Sequence, residues 1–135
     1  MSQIIIGYTA GVFDLFHIGH LNLLKSAKGL CDKLIVGVST DKVAEYKHKK
    51  PIMPFEDRIE IIRSCRYVDS AIAQDDLDKY KKWEKLHFDI LFVGDDWYKT
   101  PSWNEMEEKF AKVGVKVIYF PYTKGISSSD IKQKL

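Results

Sequence analysis

Gly11-Val12-Phe13-Asp14-Leu15-Phe16-His17-Ile18-Gly19-His20 is the stretch on which the fold turns. A short β-branched run precedes it at Ile4 to Ile6, and a helical spacing of apolar residues follows it at Leu21, Leu24 and Ala27. It therefore joins a first strand to a helix that starts near Ile18. The same succession recurs along the chain. Apolar runs at Leu34 to Val38, Val68 to Ala73, Ile90 to Val93 and Val115 to Phe120, each bounded by Gly, Asp or Pro, read as further buried strands. Between them lie the helical spacings Ile59/Ile62/Cys65, Tyr80/Trp83/Leu86 and Met106/Phe110/Val113. Alternating strands and helices, with strands that are almost continuously apolar, predict an α/β fold: a parallel sheet of about five strands with helices on both faces.

At 135 residues and 45% hydrophobic, the chain can bury one sizeable core and is expected to be a single domain, 1–135. Its 21 basic and 19 acidic residues leave a formal charge of +2, so the total charge gives no argument for a nucleic-acid partner. Cys31 and Cys65 fit neither a metal-binding pair nor a disulfide framework and read as thiols in a reducing compartment. No apolar run approaches membrane-spanning length, and no basic leader opens the chain. A soluble cytoplasmic protein without membrane insertion is expected.

In open parallel sheets ligands bind beyond the carboxyl ends of the strands. The loops there offer Asp14, His17 and His20; Ser39 and Asp41; Asp95, Asp96 and Trp97; and the run Thr123 to Ser129. The loop after the third strand offers only Gln74, Asp75 and Asp76. His17 and His20 share one helical turn, beside backbone N–H groups that a helix start leaves free and that favour anions. Gly19 between them lets a phosphate approach the backbone. The alternatives are a solvated pair or a partial metal site, for which Asp14 is the one further ligand nearby. The chain carries neither a Walker loop nor a dinucleotide glycine fingerprint, which argues against P-loop enzymes and Rossmann dehydrogenases.

The ten residues 11–20 resemble the HxGH signature of the nucleotidyltransferase superfamily, in the form found in cytidylyltransferases acting on glycerol-3-phosphate, choline-phosphate and ethanolamine-phosphate. Leu34 to Asp41, Cys65 to Asp69, Gly94 to Trp97 and Gly125 to Asp130 resemble segments of that family in the same order, across essentially the whole chain. The resemblance implies a Rossmann-like nucleotidyltransferase fold and His17, His20 and Lys49 as the catalytic set. It places Gly11, Val12, Phe13, Asp14, Gly19, Lys47, Asp95, Asp96, Trp97, Thr123, Gly125, Ile126, Ser127 and Ser128 around the nucleotide. Asp41, Arg58, Tyr122 and Lys124 are expected near the acceptor, with Arg66 and Asp69 supporting a homodimer interface. Lys47-His48-Lys49-Lys50 is the densest positive patch and reads either as a solvated loop or as a loop that closes over a triphosphate. Trp103 either lines the acceptor pocket or packs the start of its helix. A carboxylate at Asp96 can accept from the exocyclic amine of cytosine, and serines 127–129 can both cap a helix and hold phosphate. The chain departs from the family at Tyr122, where an arginine is usual. Lys124 is expected to supply the missing charge, and an unchanged nucleotide dependence in Lys124→Ala would contradict that.

The reaction these features imply is in-line attack by an acceptor phosphate oxygen on the α-phosphorus of CTP, with pyrophosphate leaving. Glycerol-3-phosphate is the favoured acceptor and Mg²⁺ is expected to accompany the triphosphate, without a dedicated protein cage. The rival readings are an adenylyltransferase of the same superfamily, of the FAD or CoA pathway type, a cytidylyltransferase with a different alcohol-phosphate acceptor, and a nucleotide-binding module without turnover.

Overall fold

The computed structural model describes residues 3–46, 50–94 and 101–121. These form β1 (Ile6–Gly11), α1 (Ile18–Lys28), β2 (Lys33–Ser39), α2 (Asp41–Tyr46), α3 (Phe55–Arg63), β3 (Ser70–Gln74), α4 (Lys79–Leu86), β4 (Ile90–Gly94), α5 (Pro101–Ala111) and β5 (Lys116–Phe120). All pairings are parallel, in the order β3-β2-β1-β4-β5. Neighbours on either side of β1 are therefore reached by connections running in opposite directions, and the switch point lies between β1 and β4.

Strand alternation sorts the core into two clusters. Leu34, Val36 and Val38 of β2 and Phe92 of β4 pack with Leu24 and Ala27 of α1 and Ile59 and Ile62 of α3. Ile35, Leu91 and Val93 point the other way, against Phe88, Trp103 and Phe110, with Tyr80 and Trp83 of α4 packed alongside. Helices thus cover both faces, as the alternation predicts.

The first strand differs from expectation. It runs from Ile6 through Gly11 rather than over Ile4 to Ile6, so the first loop begins after Gly11. Ile4 and Ile5 are exposed. Two glycines disguise this central strand because close packing demands them: a Cβ on Gly7 would lie 2.6 Å from Phe92 Cε2 and 2.9 Å from Cys31 Sγ. Carboxylates fix where β1 begins, since Ile5 N donates to Asp32 at 2.7 Å and Ile6 N to Asp89 at 2.8 Å. β3 starts at Ser70, not Val68. Asp69 just before it accepts from Leu34 N (2.7 Å) and Lys28 Nζ (2.6 Å), an internal brace between β2, α1 and β3. Cys65 and Val113 lie just past the helices whose spacing they continue, and the short α2 was not foreseen from spacing.

Tyr8 reaches across β2 to hydrogen-bond Gln74 at the end of β3, and Gln74 Nε2 donates to Asp76 O at 2.5 Å. The chemically sparse third loop is thus a structural closure. Gly37 permits the crossing: an added Cβ would overlap the Tyr8 hydroxyl and lie 2.8 Å from its Cζ. Gly37→Ala is expected to lower the unfolding free energy by about 1–3 kcal/mol, as overpacking does. Urea denaturation measures it, and an unchanged midpoint would contradict this packing.

Candidate active site

The loop leaving β1 is wound tightly. Phe13 and Leu15 both adopt left-handed backbone conformations, with φ of 54° and 50°, which cost roughly 1 kcal/mol or more each outside glycine. Three anchors hold them. Phe13 is buried in the core beside Leu24 and Ile59. Asp14, also buried, accepts from Ile52 N (2.9 Å) and Met53 N (3.0 Å). Arg58 donates to Val12 O at 2.8 Å.

This winding delivers the chain to α1 with His17 as its N-cap. His17 Nδ1 accepts from Gly19 N at 3.0 Å, and His20 Nδ1 accepts from His17 N at 3.2 Å. Two helix-start amides that serine or aspartate would ordinarily satisfy are satisfied by imidazoles. A neutral imidazole accepting at Nδ1 carries its proton on Nε2. Both rings are thereby fixed as Nε2–H donors. The rings stack with centroids 3.9 Å apart, and His20 also packs against Phe16 (5.5 Å) and Phe13 (5.4 Å). Partial burial holds the His17 pKa below its ordinary value of 6.5, which favours the neutral donor.

The sign of the pH dependence follows. A histidine whose folded pKa is depressed contributes stability that is fully present above about 6.5 and is lost as pH falls through the depressed value. We expect urea stability to decline on acidification below about pH 6.5 less steeply in His17→Ala than in the parent. Parallel profiles for the two proteins would contradict the lowered His17 pKa.

Several expected site residues are placed in other roles. Arg58, expected at the acceptor, is wholly buried. Its Nε donates to Met53 O (3.0 Å), Nη1 to Val12 O and Ser39 O (2.8 and 2.7 Å), and Nη2 pairs with Asp41 at 2.6 Å. It ties the histidine loop, the end of β2 and the segment 51–54 together from inside. Asp41 accepts from Arg58 with Oδ1 and from Phe55 N with Oδ2 (3.5 Å). Asp14 braces the backbone of Ile52 and Met53. Gly11 admits the Phe13 ring, which an added Cβ would meet at 3.2 Å. Arg66 is exposed, donates to Tyr67 Oη at 2.9 Å and lies over the Tyr67 ring at 5.0 Å. Lys47, Lys49, Asp95, Asp96, Trp97, Tyr122, Thr123, Lys124, Gly125, Ile126, Ser127 and Ser128 lie outside the described residues. The residues reasoning from sequence missed are the Ile52 and Met53 amides and the inward turn of Arg58. The spacing held one signal for the latter: Arg58 is four residues from Ile62, on the buried stripe of α3.

Among the described residues no group of three or more His, Cys, Asp or Glu side chains could hold a metal ion, and no helix is long and apolar enough to cross a membrane.

A doubly covered parallel sheet with two imidazoles at the switch point, each accepting a backbone amide at Nδ1, is the frame of a nucleotidyltransferase, and the chain belongs to the cytidylyltransferase-like family, whose model matches residues 8–134. Its relatives include the glycerol-3-phosphate cytidylyltransferase of Staphylococcus aureus (strain NCTC 8325 / PS 47), 40% identical over 128 residues that span 94% of this chain and 92% of the relative. The FAD synthase of Pyrococcus abyssi (strain GE5 / Orsay) is 37% identical over 124 residues, covering 89% of this chain and 80% of that protein. Among solved structures, a lipopolysaccharide core biosynthesis protein from Thermoplasma volcanium GSS1 superposes with a TM-score of 0.76 at 32% identity, over 92% of this chain and 100% of that one.

Proposed function

We propose that this chain transfers the cytidylyl group of CTP to glycerol-3-phosphate, forming CDP-glycerol and pyrophosphate. The observation that carries the reading is the His17/His20 pair, whose Nδ1 atoms accept from backbone amides so that each ring carries its proton on Nε2. The 40% identity to a glycerol-3-phosphate cytidylyltransferase across nearly the whole length supports the choice of substrates.

An acceptor phosphate oxygen attacks the α-phosphorus, the bond from that phosphorus to the bridging oxygen breaks, and pyrophosphate leaves with the electron pair. The second pKa of a phosphomonoester is near 6, so the nucleophile is already largely dianionic and needs no general base. His17 and His20 donate to the α-phosphate oxygens, where charge builds in the transition state. Lys47 and Lys49 neutralise the β- and γ-phosphates of MgCTP, the ion arriving with the nucleotide. Asp95, Asp96 and Trp97 receive the base; Thr123, Gly125, Ile126, Ser127 and Ser128 hold phosphates, and Tyr122 and Lys124 border the acceptor.

The protein works in the cytoplasm as one domain and as a homodimer. Support for the pairing is an open, largely apolar hollow of about 350 Å³ lined by Phe16, Leu21, Ile61, Cys65, Arg66 and Tyr67. Light scattering should give twice the chain mass, and a monomer at working concentration rejects the pairing.

A second reading, adenylyl transfer, is favoured by the FAD synthase relative. Pyrophosphate release with each of the four common nucleoside triphosphates, Mg²⁺ and glycerol-3-phosphate separates the two. CTP alone should support turnover, and chelation should abolish it without changing the melting temperature of the nucleotide-free protein. Turnover with ATP and not CTP rejects the proposal.

A further inference from the structure

A chain of hydrogen bonds runs through the core from β1, the strand that leads to the histidines, to the start of α4. Tyr8, buried in β1, donates through its hydroxyl to Gln74 Oε1, and Gln74 Nε2 donates onward to Asp76 O at 2.5 Å. Asp76 Oδ1 accepts from Asp78 N at 2.8 Å, and Asp78, the N-cap of α4, accepts from Tyr80 N at 2.9 Å. Chemistry fixes the order of donors: Asp76 O can only accept, so the amide turns its nitrogen there and its oxygen to Tyr8. Burial, with Asp75 adding to it, pushes the Tyr8 hydroxyl well above its ordinary value, so it stays a donor at neutral pH. Tyr8 and Gln74 are both buried, where polar groups cost free energy unless they are bonded. An apolar pair of like shape would close the core as well; what the polar pair adds is direction. Gln74 O also accepts from Thr40 N at 3.2 Å, which anchors the end of β3 through its backbone and leaves the side chain to act on residues 76–80.

The place of α4 gives that direction its use. α4 begins beyond the carboxyl end of β3 and α5 beyond that of β4. Their first turns meet, with Lys79 Nζ 5.5 Å from the centre of the Trp103 ring. α4 and α5 cover one face of the sheet and α1 and α3 the other. A ligand at the switch point between β1 and β4 is therefore walled by His17 and His20 on one side and by the first turns of α4 and α5 on the other. In-line displacement sets the attacking and departing groups on opposite sides of the α-phosphorus, and its rate depends on holding such walls to within about 0.5 Å of the productive geometry. β1 governs both walls: the histidines through the loop at its end, and α4 through Tyr8 and Gln74.

We infer that Gln74, bound by Tyr8, is a positioning residue for the acceptor: it sets the first turn of α4 against the histidine wall without itself touching substrate. This rests on the phosphoalcohol reading above. The test separates positioning from packing. Gln74→Met alone leaves the Tyr8 hydroxyl buried without a partner and should lower the urea midpoint. Tyr8→Phe combined with Gln74→Met makes the pair apolar and should recover most of that stability. The double variant should nevertheless keep a KM for glycerol-3-phosphate raised about fivefold or more, the scale of one lost hydrogen bond, with the KM for CTP within about twofold of the parent. Tyr8→Phe, the mildest cut in the chain, should move the same KM in the same direction. Hydrogen exchange should be faster at the Tyr80 amide and its neighbours in the double variant and unchanged in β1 and β2. A KM for glycerol-3-phosphate that returns to the parent value as stability returns, or both KM values rising together, overturns the inference. If the parent does not turn over glycerol-3-phosphate, the acceptor reading fails, and hydrogen exchange decides Gln74 alone: unchanged protection of the first turn of α4 overturns its role, and a loss confined to that turn supports it.

Discussion

Alanine in place of His17 or His20 is expected to lower turnover by about a hundredfold or more, the scale on which single preorganised donors to a developing oxyanion act. The expectation follows from how each ring is held. His17 Nδ1 is occupied by the Gly19 amide and His20 Nδ1 by the His17 amide, so neither ring must reorient when charge appears on the α-phosphate. Stacking at 3.9 Å and the flanking Phe13 and Phe16 rings further limit rotation. Since the N-cap also depends on His17, its loss should cost about 1 kcal/mol of stability, far short of unfolding. Asparagine at position 17 can restore the cap but presents no donor in the place of Nε2. His17→Asn should therefore be nearly as stable as the parent and as slow as His17→Ala. Pyrophosphate release measures the rate and urea denaturation the stability. Near-normal turnover in either alanine variant would remove the histidines from the mechanism.

Arg58→Met is expected to be the most damaging single change to the fold. Every nitrogen of the guanidinium is engaged, with Met53 O, Val12 O, Ser39 O and Asp41, and the side chain is wholly buried. Methionine fills much of the volume but leaves three carbonyls and a carboxylate without their donor. A loss of about 3 kcal/mol or more is expected, because three carbonyls lose the donor that satisfies them, while Asp41, 59% exposed, turns to water. Loss of activity should accompany it, because Val12 O belongs to the loop that sets His17. Chemical denaturation reads the first effect; a variant as stable as its parent would show that the carbonyls find other partners or water.

Legibility varied with how much of each feature is local. β2 and β4 are readable at Leu34 to Val38 and Ile90 to Val93 because both of their faces are buried, which leaves an almost unbroken apolar run, whereas the edge strand β5, only partly buried, is readable at Val115 to Phe120 from its apolar residues alone. β1 was displaced because its centrality shows in its pairing with β2 and β4, whereas Gly7 and Gly11 look like loop residues until Phe92, Cys31 and Phe13 are seen against them. The start of α1 was legible at Ile18, since paired histidines three apart can occupy one turn. That their Nδ1 atoms cap the helix was not, because a preference for Ser, Thr, Asp or Asn at caps hides a histidine. The structural partners of Arg58 and Asp14 are not legible for one physical reason: they are mostly backbone groups, and only the three-dimensional approach of residues 51–54 brings those groups to them.

CTP labelled at its α-phosphorus provides the most direct test of the central claim. Incubated with the protein, Mg²⁺ and glycerol-3-phosphate, it should yield labelled CDP-glycerol, with unlabelled pyrophosphate released in equal amount. Label recovered only as CMP, or remaining in CTP while labelled ATP is consumed, would contradict cytidylyl transfer by this chain.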